Sequence, residues 1–309
     1  KRIKSGAVKV VIGTRSAIFA PLENIGLIVI DEEQEHTYKS ENVPRYHARD
    51  VAKFRCVKSD ALLLLGSATP AVVSMYNAQN GKYTYFHIDK RYNDQPLPDV
   101  IITDMRKELR YGNGGTISTT LQEELKKNIL AGEQSILFLN RRGDSNLVVC
   151  GECGYTFTCD HCSVSMTYHS VEKKLLCHYC GHTHRLPQEC PECGGKLKFI
   201  GAGTQKVEAE LAELFPGVEV IRMDTDTVSK TGSHQALLNK FKSEKIPILL
   251  GTQMVTKGLD FENVTLAGVL SADQLLYMSD WRASERAFSL MTQLIGRSGR
   301  GDKRGRAVI

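Results

Sequence analysis

Eight of the nine cysteines in this chain fall in one short stretch, as four pairs of the form Cys-x-x-Cys. The pairs are Cys150/Cys153, Cys159/Cys162, Cys177/Cys180 and Cys190/Cys193. Two thiolates at this spacing form half of a four-coordinate metal site, and nearby glycines let backbone amides turn toward the sulfur atoms. Four such pairs predict two closed structural sites, each holding one Zn²⁺ ion with four thiolates.

Disulfides or an iron–sulfur cluster would use the same cysteines. Disulfide frameworks suit small secreted domains, whereas the 309 residues of this chain can bury a large core. No signal peptide and no apolar run of membrane-spanning length is recognisable, so we expect a cytoplasmic protein with reduced thiols. Spacing and compartment therefore favour zinc, and the isolated Cys56 is expected to be an ordinary half-buried residue.

The formal net charge of +5 does not by itself indicate a nucleic-acid partner. Eight thiolates and two Zn²⁺ ions would lower that charge to about +1. A local basic cluster near the end of the sequence is still a candidate: Arg297, Arg300, Lys303, Arg304 and Arg306. Such a run is also typical of a solvated surface, so charge leaves both interpretations open.

Short apolar runs that end in small or acidic residues predict a parallel α/β architecture in both halves of the chain. The expected buried strands cover residues 8–12, 25–30 and 61–65 in the first half, and 135–139, 218–221, 246–250 and 266–270 in the second. Residues 90–115 are rich in Asp, Pro, Gly and Asn, which suits a connecting segment. We therefore expect two α/β domains, the second of them interrupted by the cysteine block.

The expected strand at residues 25–30 leads directly into two acidic residues, Asp31 and Glu32. Open α/β sheets place ligands at the carboxyl ends of their strands. Phosphoryl transfer needs one acidic group to hold Mg²⁺ and a second to orient the attacking water, and Asp31 and Glu32 fit these roles. Acidic residues after a strand are also common at helix starts. The next strand runs into residues 66–70, Gly-Ser-Ala-Thr-Pro, a turn that can sense a γ-phosphate or simply cap a helix.

A further strand end, in residues 250–261, has the composition of a nucleotide site. Gly251 and Gly258 permit close approach of the backbone to a ligand, and Asp260 can accept hydrogen bonds from ribose or water. Downstream, residues 293–300 place Arg297 and Arg300 three apart on what is expected to be one helix face. Such arginines can reach a phosphate held by the opposite domain, or belong to a solvated basic helix end.

In this order, the motifs resemble those of superfamily 2 helicases. Residues 31–34 look like motif II, 67–69 like motif III, 140–143 like motif IV, 251–261 like motif V and 293–300 like motif VI. Residues 11–17 look like the Ib segment that grips one DNA strand, in which Thr14 and Arg15 would bind sugar-phosphate without reading sequence. The resemblance implies two RecA-like lobes, the first truncated, with ATP and Mg²⁺ as cofactors. It also implies catalytic roles for Asp31, Glu32, Arg297 and Arg300, and nucleotide contacts from Gly258, Asp260 and Gln293.

The cysteine block narrows the resemblance. An eight-cysteine insertion in the second helicase lobe, directly after residues 141–143, is similar to the PriA family (primosomal protein N′) of bacterial replication-restart helicases, and residues 201–208 also look like that family. In that family the cysteines are nested, which implies one zinc ion on Cys150, Cys153, Cys190 and Cys193 and another on Cys159, Cys162, Cys177 and Cys180. Spacing alone would not choose among the three ways of combining four pairs.

A loop that follows Glu32 interleaves aromatic, histidine and basic side chains. Its candidate DNA-contacting residues are Tyr38, Arg45, Tyr46 and His47. Stacking on a base contributes about 1 to 3 kcal/mol, so such a loop can sense DNA. The segment resembles the aromatic-rich loop of this family and of RecQ helicases, and its position predicts that bound DNA moves the catalytic carboxylate. The plainer interpretation is a turn packed in the core.

Two departures from the family pattern affect these expectations. No phosphate-binding loop of the form Gly-x-x-x-x-Gly-Lys-Ser/Thr occurs in the sequence, and the family places it upstream of Gly13. We therefore expect the chain to begin partway through the first lobe and, alone, to bind ATP poorly and hydrolyse almost none. Gln34 stands where the family more usually has histidine; glutamine does not titrate near neutral pH, so the coupling of hydrolysis to movement is the property most exposed to this change.

The expected organisation is residues 1–115 in the first lobe, 116–146 and 201–309 in the second, and 147–200 in the zinc-binding insertion. The resemblance implies an ATP-dependent 3′–5′ DNA helicase that restarts replication at stalled forks. Its implied partners are forked and single-stranded DNA, primosome proteins, the replicative helicase loader and single-stranded DNA-binding protein. Two alternatives stay open: a helicase acting on RNA or duplex DNA, and a zinc-dependent nucleic-acid-binding module with an inactive motor.

Overall fold

A computed structural model describes residues 2–89, 96–140, 147–169, 172–200, 203–224, 234–252, 255, 261–277 and 280–309. The chain divides into two compact units, Lys1–His87 and Ile88–Ile309. Among the described residues, no helix combines the length and the apolar character needed to cross a membrane.

The first unit contains a parallel two-stranded sheet of β1 (Leu27–Ile30) and β2 (Leu62–Leu65), connected by helix α1 (Ala48–Ser59). Helix α2 (Val72–Gln79) follows β2, and 3-10 helices cover Arg15–Phe19 and His36–Tyr38. A small core on one face of the sheet comprises Ile18, Ile30, Ala48 and Ala52. Because Ile30 pairs with Leu65, the turns that follow the two strands lie side by side.

Two expectations for this unit need correction. Residues 8–12 do not form a strand, and Val10 and Ile12 are 74% and 94% exposed. A strand requires a hydrogen-bonded neighbour, and within the described residues the sheet of this unit contains β1 and β2 alone. The strands are also not buried on both faces, since one face presents large exposed side chains: Leu27, Val29, Leu62 and Leu64.

The second unit is built on a six-stranded sheet in which all neighbouring strands are parallel. In spatial order the strands are β10 (Val220–Met223), β11 (Ile248–Gly251), β4 (Gln134–Leu139), β12 (Val264–Leu270), β13 (Arg306–Val308) and β3 (Asp99–Ile101). Strands β11, β4 and β12 are buried along their whole length, which accounts for their continuous apolar sequences.

Helices cover both faces of this sheet. On one face, α4 (Thr119–Leu130) and α5 (Thr204–Leu214) pack with Leu137 and Leu139 of β4. On the other, α6 (His234–Ser243) and α8 (Ala283–Ile295) pack with Ile136 and Phe138 of the same strand. Two short helices complete the unit, α3 (Met105–Arg110) and α7 (Asp273–Leu276). The predicted parallel α/β class is confirmed.

Residues 96–115, which precede the first central strand of the six-stranded sheet, belong to the second unit. Strand β3, at residues 99–101, pairs with β13 at the edge of the six-stranded sheet. Residues 96–115, which the sequence pattern assigned to the first lobe, therefore lie with the second unit. The pairing of β3 with β13, about 200 residues apart in sequence, lies within the unit that begins at Ile88.

Residues 147–200 form an antiparallel subdomain that is entered and left through two adjacent strands. β5 (Leu147–Cys150) pairs with β9 (Leu197–Ile200), and Leu147 lies opposite Ile200. Between them is a three-stranded antiparallel sheet of β6 (Thr167–His169), β7 (Lys174–Leu176) and β8 (Thr183–Arg185). The subdomain has its own apolar cluster, which includes Val148, Phe157, Met166 and Leu175.

Candidate zinc centres and nucleotide-site residues

The eight paired cysteines converge as two groups of four. One group is Cys150, Cys153, Cys190 and Cys193, and the other is Cys159, Cys162, Cys177 and Cys180. Within each group all Sγ atoms lie within 4.8 Å of one another. This is the nested pairing that the family resemblance implied, in which the outermost pairs along the chain share one site and the inner pairs share the other.

The sulfur positions test whether zinc fits. The Sγ–Sγ distances are 3.5 Å for Cys150–Cys193, 3.7 Å for Cys153–Cys190 and 3.6 Å for Cys159–Cys180. Tetrahedral coordination at a Zn–S distance of about 2.3 Å separates the sulfur atoms by about 3.8 Å. Both groups are consistent with one Zn²⁺ ion each, and four thiolates leave no open position for a reacting water.

All four Cys-x-x-Cys pairs adopt the same turn. The amide of the residue after the second cysteine donates to the carbonyl of the first, as from Gly154 to Cys150 at 3.1 Å and from Gly181 to Cys177 at 2.8 Å. That residue has a positive φ in every pair, at Gly154, Ser163, Gly181 and Gly194. Glycine adopts this conformation freely, so three of the four turns use it, while Ser163 adopts it with a side chain.

In each group the pKa of one thiol is lowered, at Cys150 and Cys177, and that of another is raised, at Cys193 and Cys162. The amides of Cys153 and Glu152 donate to Cys150 Sγ, at 3.5 and 3.4 Å, and lower the pKa of Cys150 to about 6. In the second group, hydrogen bonding with the Cys180 thiol and burial raise the pKa of Cys162 to about 12. Four sulfur atoms this close cannot all be ionised without a cation between them, and Zn²⁺ supplies that charge.

In the first unit, the turn after β1 carries Asp31 and Glu32. Glu32 has φ of +49°, which is unusual for a residue with a side chain, and its amide donates to Asp31 Oδ1 at 2.9 Å. The next amide, from Glu33, donates to the carbonyl of Gly66 at 3.0 Å. The acidic turn is thereby tied to the Gly-Ser-Ala-Thr-Pro turn that follows β2.

Side chains continue this connection. Gln34 Nε2 donates to Glu32 Oε2 at 2.7 Å, and Gln34 Oε1 accepts from Ser67 Oγ at 2.5 Å. Ser67 Oγ in turn accepts from the amide of Thr69 at 2.9 Å. A continuous hydrogen-bonded path therefore runs from the candidate catalytic carboxylate to the turn after β2.

Glu33 is a buried residue that the sequence reasoning did not single out. Its carboxylate accepts from Arg49 Nη1 at 2.7 Å, from Ser74 Oγ at 2.8 Å and from the amide of Ala71 at 2.7 Å. The Glu33 side chain is 2% exposed and that of Arg49 14%. Because Arg49 belongs to α1 and Ser74 to α2, Glu33 fixes the acidic turn to both helices. The third of three consecutive acidic residues gave no separate signal in the sequence.

The candidate DNA-contacting residues are drawn together around the loop at residues 36–47. Arg15 Nη1 donates to the carbonyls of Thr37 and Lys39, at 3.0 and 2.6 Å, and its guanidinium lies 5.6 Å from the centre of the Tyr46 ring. Tyr46 also packs edge-on against Phe19, with ring centres 4.8 Å apart. The Ib segment, which includes Thr14, and the aromatic loop are therefore one local structure.

The remaining residues of the loop have distinct environments. Tyr38 Oη donates to the carbonyl of Asp31 at 2.8 Å, and burial, followed by the charge of Asp31, raises the pKa of Tyr38. His47 Nδ1 accepts from the amide of Arg49 at 3.2 Å and so caps α1. Arg45 is exposed. The loop is thus packed through its tyrosines, as in the plainer interpretation, and open to solvent at Arg45.

Arg297 and Arg300 are not on a helix, which corrects the expected single helix face. Helix α8 contains Gln293 but ends at Ile295, and residues 296–300 form a turn. Gly299 has φ of +68°, and a Cβ on it would lie 2.2 Å from the amide nitrogen of Gly305. Arg300 Nε donates to the carbonyl of Gly296 at 3.0 Å. Gly258, Asp260, residues 141–143 and residues 201–202 lie outside the described residues.

Comparison with known proteins agrees with this site chemistry. Residues 159–185 match the PriA DNA helicase Cys-rich region (CRR) domain, and residues 183–302 match the Helicase conserved C-terminal domain. The chain is 50% identical over 310 residues to the replication restart protein PriA of Bacillus subtilis (strain 168), a match that covers 100% of this chain and 38% of that protein. The chain belongs to the PriA family.

Other PriA proteins give the same result. The replication restart protein PriA of Synechocystis sp. is 46% identical over 314 residues, covering 98% of this chain and 38% of that protein. That of Chlamydia muridarum is 43% identical over 309 residues, covering 98% and 41%. The chain spans about two fifths of the length of these PriA relatives.

Proposed function

We propose that this chain carries motor and DNA-contacting parts of an ATP-dependent DNA helicase that moves 3′ to 5′ and acts in replication restart. The observation that carries the proposal is the hydrogen-bonded path from Glu32 through Gln34 to Ser67 in a chain whose relatives are PriA proteins. Such a path can transmit the state of a nucleotide at the carboxylate to the neighbouring turn.

In this proposal, ATP bound with Mg²⁺ supplies the phosphoryl group whose transfer to water drives movement. Asp31 binds the metal ion, and Glu32 orients the attacking water. The left-handed backbone at Glu32 and its bond to Gln34 fix where that carboxylate points.

Roles toward the nucleotide are also proposed for residues of the second unit. Arg297 and Arg300 stabilise the transferring phosphate, a role that suits the bidentate guanidinium group. Gly258, Asp260 and Gln293 contact the nucleotide. The Gly299 turn supports this assignment, because it holds the arginine segment firmly against the backbone at Gly305.

DNA binding is proposed for the loop at residues 36–47 and the Ib segment. Thr14 and Arg45 contact sugar-phosphate, and Tyr38, Tyr46 and His47 form the aromatic surface. Arg15 already binds two loop carbonyls, so its contribution is to hold the loop shape that DNA meets. The nearness of Tyr38 to Asp31 supports a link between DNA contact and hydrolysis.

The zinc-binding subdomain is proposed to contact forked DNA or partner proteins, since its closed sites do no chemistry. The expected partners are primosome proteins, the replicative helicase loader and single-stranded DNA-binding protein.

The test uses a full-length PriA protein that contains this sequence. Glu32→Gln should lower ATP hydrolysis on forked DNA by about a hundredfold, because the water-orienting carboxylate is lost. Glu23→Gln, an exposed carboxylate of the same unit, is the matched control and should hydrolyse at the parental rate. Parental hydrolysis by Glu32→Gln would reject the assignment. Equal stimulation by RNA, duplex DNA and forked DNA would instead favour the alternative helicase substrates.

A further inference from the structure

Two histidines beside the second cysteine group face each other through their ring nitrogens. His169 Nε2 lies 3.2 Å from His178 Nε2, with ring centres 5.1 Å apart and ring planes inclined by 56°. His169 is the last residue of β6, and His178 lies between Cys177 and Cys180. The cysteine site itself is complete with four sulfur atoms, so neither imidazole is needed there.

The separation of these nitrogens suits two ligands of one metal ion. Tetrahedral coordination at a Zn–N distance of about 2.05 Å places two imidazole nitrogens about 3.3 Å apart. We propose that His169 and His178 form a third metal site, which binds a late divalent transition-metal ion such as Zn²⁺ and leaves its other positions to water. The site is distinct from the proposed motor function and does not depend on it.

The donor set decides the class of ion and the relative affinity. Imidazole nitrogen favours Zn²⁺, Ni²⁺ and Cu²⁺, whereas Mg²⁺ and Ca²⁺ prefer oxygen ligands. Two neutral nitrogens bind more weakly than four thiolates, because they neither close the coordination sphere nor offset the charge of the ion. The third site therefore fills only when metal exceeds the capacity of the two cysteine sites, and the ion there exchanges with solvent.

A second histidine pair in the same subdomain provides a matched control. His161 and His182 have ring centres 4.4 Å apart and ring planes inclined by 37°. These tilted rings are in contact at their centres, while a metal ion is bound by in-plane nitrogen lone pairs. His161 lies between Cys159 and Cys162, so it resembles His178 in being enclosed by a cysteine pair.

The experiment counts bound zinc in the intact chain. Purified reduced chain is dialysed against excess Zn²⁺, and metal is measured before and after a wash with a weak chelator. We expect three zinc ions per chain before the wash and two after it. His169→Gln and His178→Gln should bind two at both stages, while His161→Gln and His182→Gln should keep the third, exchangeable ion.

Two outcomes would overturn the proposal: a parent chain that binds no exchangeable zinc, or a third ion that survives in His169→Gln. The His169→Gln result is decisive because the nearest cysteines in sequence are seven and eight residues away, beyond the Cys-x-x-Cys turns. Retention of two tightly bound zinc ions in each variant shows that the cysteine sites remain folded.

Discussion

The side-chain amide of Gln34 donates a 2.7 Å hydrogen bond to the carboxylate of Glu32. Its carbonyl oxygen accepts from Ser67 at the same time, so one uncharged residue joins the acidic turn after β1 to the turn after β2. Glutamine carries a donor and an acceptor at every pH, whereas a histidine in its place would change with protonation. The connection in this chain is therefore insensitive to pH near neutrality.

Removing the Gln34 connection should reduce the stimulation of ATP hydrolysis by DNA more than it reduces the affinity for DNA. In the full-length protein, Gln34→Ala should reduce DNA-stimulated ATP hydrolysis about tenfold and leave affinity for forked DNA unchanged, because the path between the two turns is cut. Gln34→His should retain most of the stimulation. Gln79→Ala, an exposed glutamine at the end of α2, serves as the control. Full stimulation in Gln34→Ala would show that the path carries no signal.

Double cysteine variants should reveal which pairs share a metal ion. Cys153→Ser with Cys193→Ser disrupts one site in the nested arrangement, so one zinc ion should remain per chain. Cys153→Ser with Cys180→Ser disrupts both sites, and zinc should be lost entirely. Metal analysis distinguishes these cases, since either of the other two ways of combining the pairs predicts complete loss for the first variant.

The strands of the sheet core could be predicted because burial on both faces leaves a continuous apolar run in the sequence. The runs at residues 135–139, 246–250 and 266–270 became β4, β11 and β12 in this way. The run at residues 8–12 looks the same, but a strand also needs a partner, and sequence pattern does not report pairing. The same limit hid β3, whose partner β13 is about 200 residues away.

In the candidate site too, local sequence pattern was predictive, whereas contacts between distant residues were not. Cysteine spacing predicted two sites, yet the nested pairing depends on how the subdomain folds, and only the resemblance implied it. The end of α8 was predicted wrongly, because Arg297 and Arg300 were expected on a helix face although Gly296 and Gly299 are typical of helix termination. Glu33 was not readable, because its role arises from Arg49 and Ser74 on two different helices.

Loss of the Glu33 carboxylate should destabilise the first unit. Glu33→Ala leaves the largely buried Arg49 side chain without its anionic partner, a change that typically costs about 3 to 5 kcal/mol. Hydrogen exchange measured by mass spectrometry should show faster opening of β1, α1 and α2, with protection of the six-stranded sheet unchanged. Glu219→Gln, which removes an exposed pair with Lys240, is the control and should alter neither unit. Unchanged exchange in Glu33→Ala would mean that the ion pair contributes nothing measurable.

Glu108 should contribute a pH-dependent part of stability in the second unit. The amide and hydroxyl of Thr119 donate to its carboxylate, at 2.8 and 2.7 Å, and lower the pKa of Glu108. Because the folded pKa is below the unfolded value, the contribution is present above the unfolded pKa, about 4.5, and is lost as pH falls through the folded pKa. The stability difference between the parent and Glu108→Gln should therefore shrink from about pH 6 to about pH 3 in denaturant unfolding. A difference that stays constant over this range would contradict the assignment.

The pairing of β5 with β9 makes the zinc-binding subdomain a separable part of the second unit. Its first and last strands are neighbours, so its two ends lie about 4.8 Å apart, a gap that a short turn can close. In the part of the chain that the structure describes, the six-stranded sheet takes no strand from residues 147–200. The subdomain can thus be removed, or inserted into a protein with another parallel sheet, without a change in the strand order of that sheet.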